Sequence, residues 1–342
     1  MKTSELDYFL PTERIAQKSV EPRDHSKLLV VDRTSGETRH EQFFDIVKYL
    51  RPDDVLVFNN TKVFRARLRV GTVEILLLRP SSEAWLCLGK PGKKLQPGMR
   101  VELPGTVIGE VTVRHEDGEF EMKFSRGGEK MSAAEVIDFA NEHGEIPLPP
   151  YVKNGPTTLG EYQTVYARHT GSVAAPTAGF HFTEDLRAKI QASGVTFLEV
   201  TLHVGIGTFQ PVKTEEVEAH PMHSEWVSVD RETAGAIAEA KKVGRRVIAV
   251  GTTTTRALEG AAEKILAGES FEGDINIFIN PGYTFKIIDG LVTNFHLPKS
   301  TLLLLVSAFL GEGGLEHLKK IYADAINREY RFFSFGDGMF IK

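Results

Sequence analysis

The chain has 342 residues, enough for two domains, because single hydrophobic cores usually stop growing at roughly 250 to 300 residues. Hydrophobic residues make up 41% and charged residues 25% of the chain, which excludes a disordered or low-complexity protein. The net charge of −5 argues against indiscriminate nucleic-acid binding but allows a local basic face.

Three features bear on the cellular compartment. The first residues lack the apolar stretch and cleavage site of a secretory signal, and the single cysteine, Cys87, cannot form an internal disulfide. The most apolar segment, residues 302–310, is shorter than the ~20 residues of a membrane span and is predicted to be a buried helix. We therefore expect a cytoplasmic protein that does not contact a membrane. A monomer is expected as well, although these features do not determine the oligomeric state.

The first half of the chain is rich in short β-type segments. A buried strand is predicted at residues 55–58, and further strands at 75–78, 85–88, 107–113 and 120–124, with a hairpin turn at Asp117-Gly118. A helix follows Ser132, which has capping-box spacing with Glu135. The proline-rich residues 146–150 are the predicted domain boundary.

From residue 160 onward helices and strands alternate, which is typical of α/β proteins. Helices are predicted after Thr183, from Asp230 to Gly244 and from Thr255 to Gly268. Strands are predicted at residues 196–202 and 246–250.

Histidines cluster in this second half. Six of the eleven histidines lie between His169 and His296, in segments rich in Gly, Thr and Pro. Imidazole titrates near neutral pH, so these histidines are candidates for proton transfer, although an isolated histidine is more often structural. A metal site of His220, His223 and Glu225 is a competing interpretation, which we do not favour because the spacing matches no familiar zinc or iron pattern.

The segment from Gly251 to Arg256 contains four threonines, follows an apolar strand and is expected to open a helix. Its backbone N–H groups and hydroxyls can hold a carboxylate or a phosphate, and the alternative is a helix start capped by hydroxyls. Gly205-Ile206-Gly207 is not a dinucleotide-binding fingerprint, because Gln210 occupies the position of the required third glycine.

Basic residues recur near residue 65. Arg65, Arg67 and Arg69 alternate along a predicted strand and therefore point to one face, with Lys62 just before them. A track for the RNA backbone and a solvated strand face both explain this pattern.

Long collinear motifs span nearly the whole chain. They are residues 14–17, 58–61, 172–183, 292–307 and 330–337. On these motifs the chain resembles the S-adenosylmethionine:tRNA ribosyltransferase-isomerase family of queuosine biosynthesis. It departs from the family pattern at Asn60 and Asn276, where the family has Asp.

The resemblance implies a fold and a reaction. The expected fold is an α/β main domain with a mixed, barrel-like sheet and helices, at residues 1–65 and 151–342, interrupted by a small antiparallel β-barrel domain at residues 66–150. The implied reaction transfers and rearranges the ribosyl moiety of S-adenosylmethionine onto 7-aminomethyl-7-deazaguanine at the wobble position of tRNA with a GUN anticodon. The products are epoxyqueuosine, adenine and methionine. S-adenosylmethionine is consumed as a substrate, so neither a cofactor nor a metal is expected.

This chemistry needs a base for the 5′ carbon beside the sulfonium and an acid that helps adenine to leave. We assign proton transfer to five side chains, namely His181, His203, His223, Glu225 and His296. We assign substrate binding to Thr177, Gly179, Thr253, Thr254, Arg256, Lys299 and Ser300, with Arg256 as a partner of the methionine carboxylate. RNA binding is assigned to Lys62, Arg65, Arg67 and Arg69.

Two alternatives stay open. A related transferase that consumes S-adenosylmethionine would modify a small-molecule acceptor and leave tRNA unmodified. A non-catalytic tRNA-binding protein would bind tRNA in a salt-sensitive way without turnover.

Overall fold

A computed structural model describes residues 1–116, 118–205, 214–219 and 224–342. Its strands are β1 (Lys27–Val31), β2 (Thr38–Gln42), β3 (Val55–Asn59), β4 (Thr61–Val63), β5 (Arg67–Val70), β6 (Val73–Ser81), β7 (Ala84–Lys90), β8 (Arg100–Leu103), β9 (Val107–Arg114), β10 (Phe120–Arg126), β11 (Glu129–Lys130), β12 (His169–Ser172), β13 (Thr196–Leu202), β14 (Glu225–Val229), β15 (Val247–Val250), β16 (Phe271–Ile275), β17 (Gly290–Asn294) and β18 (Gly338–Ile341). Its α-helices are α1 (Ala133–His143), α2 (Glu184–Ala192), α3 (Arg231–Lys242), α4 (Thr252–Gly260), α5 (Ala262–Leu266), α6 (Thr301–Leu310) and α7 (Gly314–Asn327).

The largest element is a mixed nine-stranded sheet in the order β16-β14-β13-β3-β15-β17-β18-β1-β2. At its centre β13, β3, β15 and β17 are neighbours and run parallel. Both faces are covered, because Val55 and Val57 pack into a cluster with α3, α4 and α6, whereas Leu56 and Phe58 pack with α2. Parallel strands buried on both faces read as continuous apolar runs, which is why β3 is visible in the sequence.

The second sheet is antiparallel, in the order β5-β6-β7-β10-β9-β8, with β11 paired to β10. Its end strands β5 and β8 approach each other, so the sheet curls toward a barrel. Its core contains Cys87, which is fully buried, and Phe139 of α1. The expected pairing of an α/β part with a small antiparallel barrel is thus present in outline, while the domain boundaries at residues 66 and 150 remain predictions.

Several predicted local features are confirmed. Ser132 caps α1 through the predicted capping box with Glu135, and Thr183 caps α2. β9 and β10 form the predicted hairpin, with Arg114 opposite Phe120 and Gly118 at φ +95°, whereas Asp117 lies outside the described residues. A third, two-stranded ribbon pairs β4 with β12 in parallel.

The segment from Gly251 to Arg256 opens a helix as predicted, but the helix begins slightly earlier than the approximate start at Thr255. The helix expected from Thr255 begins at Thr252, and the threonines are its first turn. The Thr254 hydroxyl donates a hydrogen bond to the Val250 carbonyl, and the Thr255 hydroxyl donates to the Gly251 carbonyl, in each case four residues back. β-branched residues have low helix propensity, so propensity alone placed the start too late.

The apolar segment near residue 305 forms α6, which is buried as expected. Among the described residues, no single helix has the length and apolar character needed to cross a membrane. Only α6 and α7 together satisfy the length and composition, and they are bent by 107° at their junction.

Candidate active site

The functional segments lie at one edge of the large sheet. His203 directly follows β13, Thr61 follows β3, Gly251 follows β15, and Asn294 ends β17. These four strands are parallel neighbours, so their carboxyl ends share one edge. In open α/β sheets that edge is where ligands bind.

A small cleft lies at this edge, with a cavity volume of about 40 Å³, or about 470 Å³ of empty space when the adjoining open solvent is included. It is lined by Ala175, Pro176, Thr177, Ala178, Val204, Gly251, Thr252, Thr253, Thr293, Asn294, His296, Leu302, Phe333 and Ser334. Segments distant in sequence therefore form a single wall, and they include three of the predicted substrate or proton-transfer residues.

Asn59 holds the strand ends of this edge together. Its amide nitrogen donates to the Leu202 carbonyl at 3.0 Å and lies 3.4 Å from Thr253 Oγ1. Its amide oxygen accepts from the backbone N–H groups of Leu202 and Thr61. One buried side chain thus joins β3, β13 and α4.

His296 lines the cleft directly. Its Nε2 lies 3.0 Å from Thr293 Oγ1. Its backbone is held on both sides, because its N–H donates to Tyr322 Oη at 3.1 Å and its carbonyl accepts from Tyr8 Oη. Burial lowers the pKa of His296 to about 3, so its imidazole is neutral at physiological pH.

His181 lies one layer behind the cleft wall. Thr177 Oγ1 donates to Asn294 Oδ1 at 3.2 Å, Asn294 Nδ2 lies 3.3 Å from His181 Nε2, and His181 Nδ1 lies 2.7 Å from Ser26 Oγ. The ring also stacks on Phe43 at 4.5 Å. Burial, with a smaller effect of Arg331, lowers the pKa of His181 to about 3. His181 therefore reaches the cleft through Asn294 and Thr177.

His203 lies beside the cleft, next to Val204. Its Nδ1 is 2.8 Å from Thr61 Oγ1, and its ring stacks on Trp226 with centroids 4.9 Å apart. Gly171 makes room for it, because a Cβ there would lie 2.5 Å from His203 Nε2. Burial, and secondarily His169, lowers the pKa of His203 to about 4, so this imidazole is also neutral.

Glu225 and Arg256 form a buried ion pair. Glu225 Oε2 lies 3.1 Å from Arg256 Nη1, with side chains 4% and 8% exposed. Neither prediction for these residues included this contact. Glu225 therefore holds Arg256 in place, and its assignment to proton transfer stays a prediction.

Two of the predicted substrate residues, Thr254 and Gly179, pack against other parts of the protein. Thr254 is fully buried and donates its hydroxyl to the Val250 carbonyl, while Thr252 and Thr253 line the cleft. Gly179 is required for packing, since a Cβ there would overlap Tyr166 Oη. A direct contact of Thr254 with substrate is therefore not supported by its hydrogen bond.

Lys299 and Ser300 precede α6, whose Leu302 lines the cleft. Lys299 has the left-handed φ of +58°, and its Nζ pairs with Asp7 at 2.9 Å. Its backbone N–H donates to the Leu6 carbonyl. Ser300 is buried at the N-cap position but its side chain makes no capping hydrogen bond.

The three arginines of the predicted RNA face all have partners within the protein. Arg69 pairs with Glu145 at 2.9 Å and with Glu74 at 3.1 Å, while Arg67 donates to the Leu148 carbonyl at 2.9 Å. Arg65 donates to the Gly144 carbonyl at 3.4 Å. These contacts are compatible with a solvated strand face, and the assignment of RNA binding to Arg65, Arg67 and Arg69 stays a prediction. Lys62 lies apart from them on β4.

Comparison with known proteins agrees with the geometry. The family model for "Queuosine biosynthesis protein" matches residues 3–341. The chain belongs to this family. Two relatives named S-adenosylmethionine:tRNA ribosyltransferase-isomerase cover the whole of both chains, one from Halothermothrix orenii at 48% identity and one from Carboxydothermus hydrogenoformans at 47%. A crystal structure of S-adenosylmethionine tRNA ribosyltransferase from Thermotoga maritima has a TM-score of 0.57 and 36% identity, covering 99% of this chain and all of that one.

In this member of the queuosine biosynthesis family, some site residues were missed by sequence analysis. Asn59, Asn294 and Ser334 lie within the collinear motifs, but their side-chain roles depend on distant partners. Tyr8 and Tyr322 carry no sequence signal, and only the fold brings them to His296.

His223 and His220 lie outside the described residues, so the assignment of proton transfer to His223 stays a prediction. The metal alternative involved the same two histidines. Within the described ranges, no group of three His, Cys, Asp or Glu side chains is arranged to hold a metal ion.

Proposed function

We propose that this protein is an S-adenosylmethionine:tRNA ribosyltransferase-isomerase. The observation that carries this proposal is full-length identity of 48% to a relative of that name. A cleft at the carboxyl edge of four parallel strands, lined by His296 and bordered by His203, provides the place where such chemistry can occur.

The finer proposal concerns the acceptor and the products. The acceptor is 7-aminomethyl-7-deazaguanine at the wobble position of a tRNA with a GUN anticodon, and the products are epoxyqueuosine-tRNA, adenine and methionine. The protein acts as a cytoplasmic monomer, away from membranes, and residues 66–150 form an inserted domain. These points follow the family resemblance.

The proposed reaction begins with removal of a proton from the 5′ carbon, which the adjacent sulfonium acidifies. A neutral imidazole can accept that proton, and the positive charge then moves from the nucleoside to the histidine, so the net charge of the cleft is unchanged. Among the described candidates, His296 lines the cleft and His203 borders it. We assign proton transfer first to His296, then to His203, with His181 positioning Asn294 and Thr177.

The later steps conserve atoms and electrons. Adenine takes up a proton as its glycosidic bond breaks, and the neutral aminomethyl nitrogen forms a bond to the opened sugar and loses a proton. Closure of the epoxide breaks the carbon–sulfur bond and releases methionine. Of the two protons removed, from the 5′ carbon and the amine, one goes to adenine and one to solvent. No oxidant or reductant is consumed, and S-adenosylmethionine is a substrate in these steps. A protonated acid beside adenine speeds its departure.

The carboxylate of S-adenosylmethionine is assigned to the N-terminus of α4. Thr252 and Thr253 line the cleft there, and the first N–H groups of a helix have no intrahelical acceptor. Arg256 lies on the same helix, one turn further on, and helical side chains point back toward the N-terminus. We assign the substrate carboxylate to Arg256 and Thr253, and the α6 start at Lys299 and Ser300 to a second anionic contact.

One assay tests the function. The protein is mixed with S-adenosylmethionine and tRNA bearing the deazaguanine base, and free adenine, free methionine and the tRNA mass are measured. All three products in equal amounts are expected. Turnover with the free nucleoside alone would favour the small-molecule alternative, whereas tRNA binding without adenine release would leave only a binding protein.

A further inference from the structure

We propose that the outer face of the ribbon formed by β4 and β12 binds the tRNA backbone next to the reacting base. This inference rests on the proposed function. The cations of that face are Lys62, which pairs with Thr170, and Arg168, two residues before Thr170 on the neighbouring segment.

The inner face of the ribbon is part of the site. β4 and β12 pair in parallel, with Thr61 opposite His169. Thr61 Oγ1 contacts His203 Nδ1 at 2.8 Å, and Gly171 lies against the other edge of the same ring. The ribbon is therefore the wall directly behind His203.

The outer face carries the exposed side chains. Side chains alternate along a strand, so Lys62 points away from the buried Thr61 and Val63. Thr170, opposite Lys62, is exposed, and Arg168 is 68% exposed. The Asn60 carbonyl accepts from the N–H groups of Arg168 and His169, which fixes where β12 begins.

This face has an excess of positive charge. In the described part of the chain, Glu199, 3.4 Å from Arg168, is the one carboxylate that pairs with either of the two cations Lys62 and Arg168, so one positive charge is left over. Within the described ranges Lys62 makes no ion pair. The arginines on β5 differ, because Glu74, Glu145 and backbone carbonyls already satisfy them.

The chemistry of the acceptor favours RNA as the occupant. A base that reacts in a cleft must leave its stack, while the phosphates on either side stay outside. Cations at the cleft wall can hold those phosphates, and a planar guanidinium can also stack on an unpaired neighbouring base. Lys62 and Arg168 can both hold phosphates, and Arg168 can also stack on a base.

The test compares three proteins, wild type, Lys62→Gln/Arg168→Gln and Arg100→Gln. Arg100 is the matched control, because it is also 68% exposed, has one carboxylate partner, Glu110, and lies on β8 of the antiparallel sheet. Affinity for an unmodified GUN-anticodon tRNA is measured over a salt series, together with KM for S-adenosylmethionine in the complete reaction.

We expect the double variant to bind tRNA at least about tenfold more weakly than wild type. The slope of log affinity against log salt should become shallower by about 0.7 for each single-strand phosphate that the variant no longer neutralises. KM for S-adenosylmethionine should not change, and Arg100→Gln should behave as wild type.

Wild-type affinity and salt slope in the double variant would overturn the inference, as would an equal loss of affinity in Arg100→Gln. Failure of the proposed function gives a different result. In that case wild type releases no adenine with any acceptor, whereas the loss of salt-dependent tRNA binding in the double variant still supports the ribbon.

Discussion

The two sheets of this protein differ in whether their polar side chains are buried or exposed. At the carboxyl edge of the large sheet, Asn59, His181, Glu225, Arg256 and His296 are all buried. In the antiparallel sheet, the described residues between 67 and 130 bury no polar or charged side chain apart from the thiol of Cys87, and their arginines pair at the surface. Burying polar groups costs free energy, so their concentration at one edge marks the part of the fold that is organised for function.

The largest loss of activity is expected when His296 at the carboxyl edge is replaced. His296→Gln keeps an amide nitrogen near the position of Nε2, and therefore the contact to Thr293, but cannot accept a proton. We expect kcat for adenine release to fall by about 10²- to 10⁴-fold, the usual contribution of a general base. His115→Gln, on the loop between β9 and β10, is the control and should retain full activity.

The two sheets should also differ in how much stability is lost when one partner of an ion pair is removed, because one pair is buried and the other is exposed. Glu225→Gln leaves the buried Arg256 without its counter-charge and should lower the free energy of unfolding by about 3 to 5 kcal/mol. Glu145→Gln removes the exposed partner of Arg69 and should cost about 0 to 1 kcal/mol. Urea denaturation measures both, and equal losses of stability would contradict the contrast.

The buried histidines predict how stability depends on pH. The pKa of His181 and of His296 is about 3 in the folded protein, below the ordinary value of 6.5, so the unfolded chain binds more protons between these limits. Stability is therefore complete above pH 6.5 and is lost as pH falls toward 3, at up to about 1.4 kcal/mol per pH unit for each histidine. His296→Gln should reduce this slope in urea denaturation measured between pH 6.5 and 4.5. An unchanged slope would show that His296 is not held neutral by burial.

A small effect on kcat is expected when the hydrogen bond from Tyr8 to the His296 carbonyl is removed. Tyr8→Phe removes one hydrogen bond to the His296 carbonyl and keeps the aromatic packing against Tyr322. A loss of about 1 kcal/mol corresponds to a roughly fivefold lower kcat, with KM for tRNA unchanged. A changed KM with normal kcat would place Tyr8 in substrate binding instead.

Local patterns predicted the parts of the fold that depend on nearby residues. The continuous apolar run of β3, the capping box at Ser132 and the hairpin of β9 and β10 all form as expected. The start of α4 was placed slightly late because its threonines bond to carbonyls of the preceding strand, which propensity does not describe. The resemblance supplied the overall plan of two unlike sheets.

The candidate site was predictable as a set of segments but not as a geometry. Sequence indicated that the histidines near residues 181, 203 and 296 belong together, yet it did not show that His181 lies behind Asn294 or that Glu225 faces Arg256. These contacts join residues from different strands and helices. Alternation predicted the shared face of Arg67 and Arg69 but not the glutamates that pair with Arg69.

The most direct test of the account follows hydrogen at the 5′ carbon of S-adenosylmethionine. The reaction is run in deuterium oxide with wild type and with His296→Gln, and recovered substrate and modified tRNA are analysed by mass spectrometry. If proton removal is reversed before adenine leaves, a deuteron returns to the same carbon. We therefore predict deuterium at the 5′ carbon of recovered S-adenosylmethionine with wild type, and strongly reduced incorporation with His296→Gln under conditions where the variant still binds S-adenosylmethionine. Undiminished incorporation in the variant would contradict the assignment of the first proton transfer to this cleft histidine.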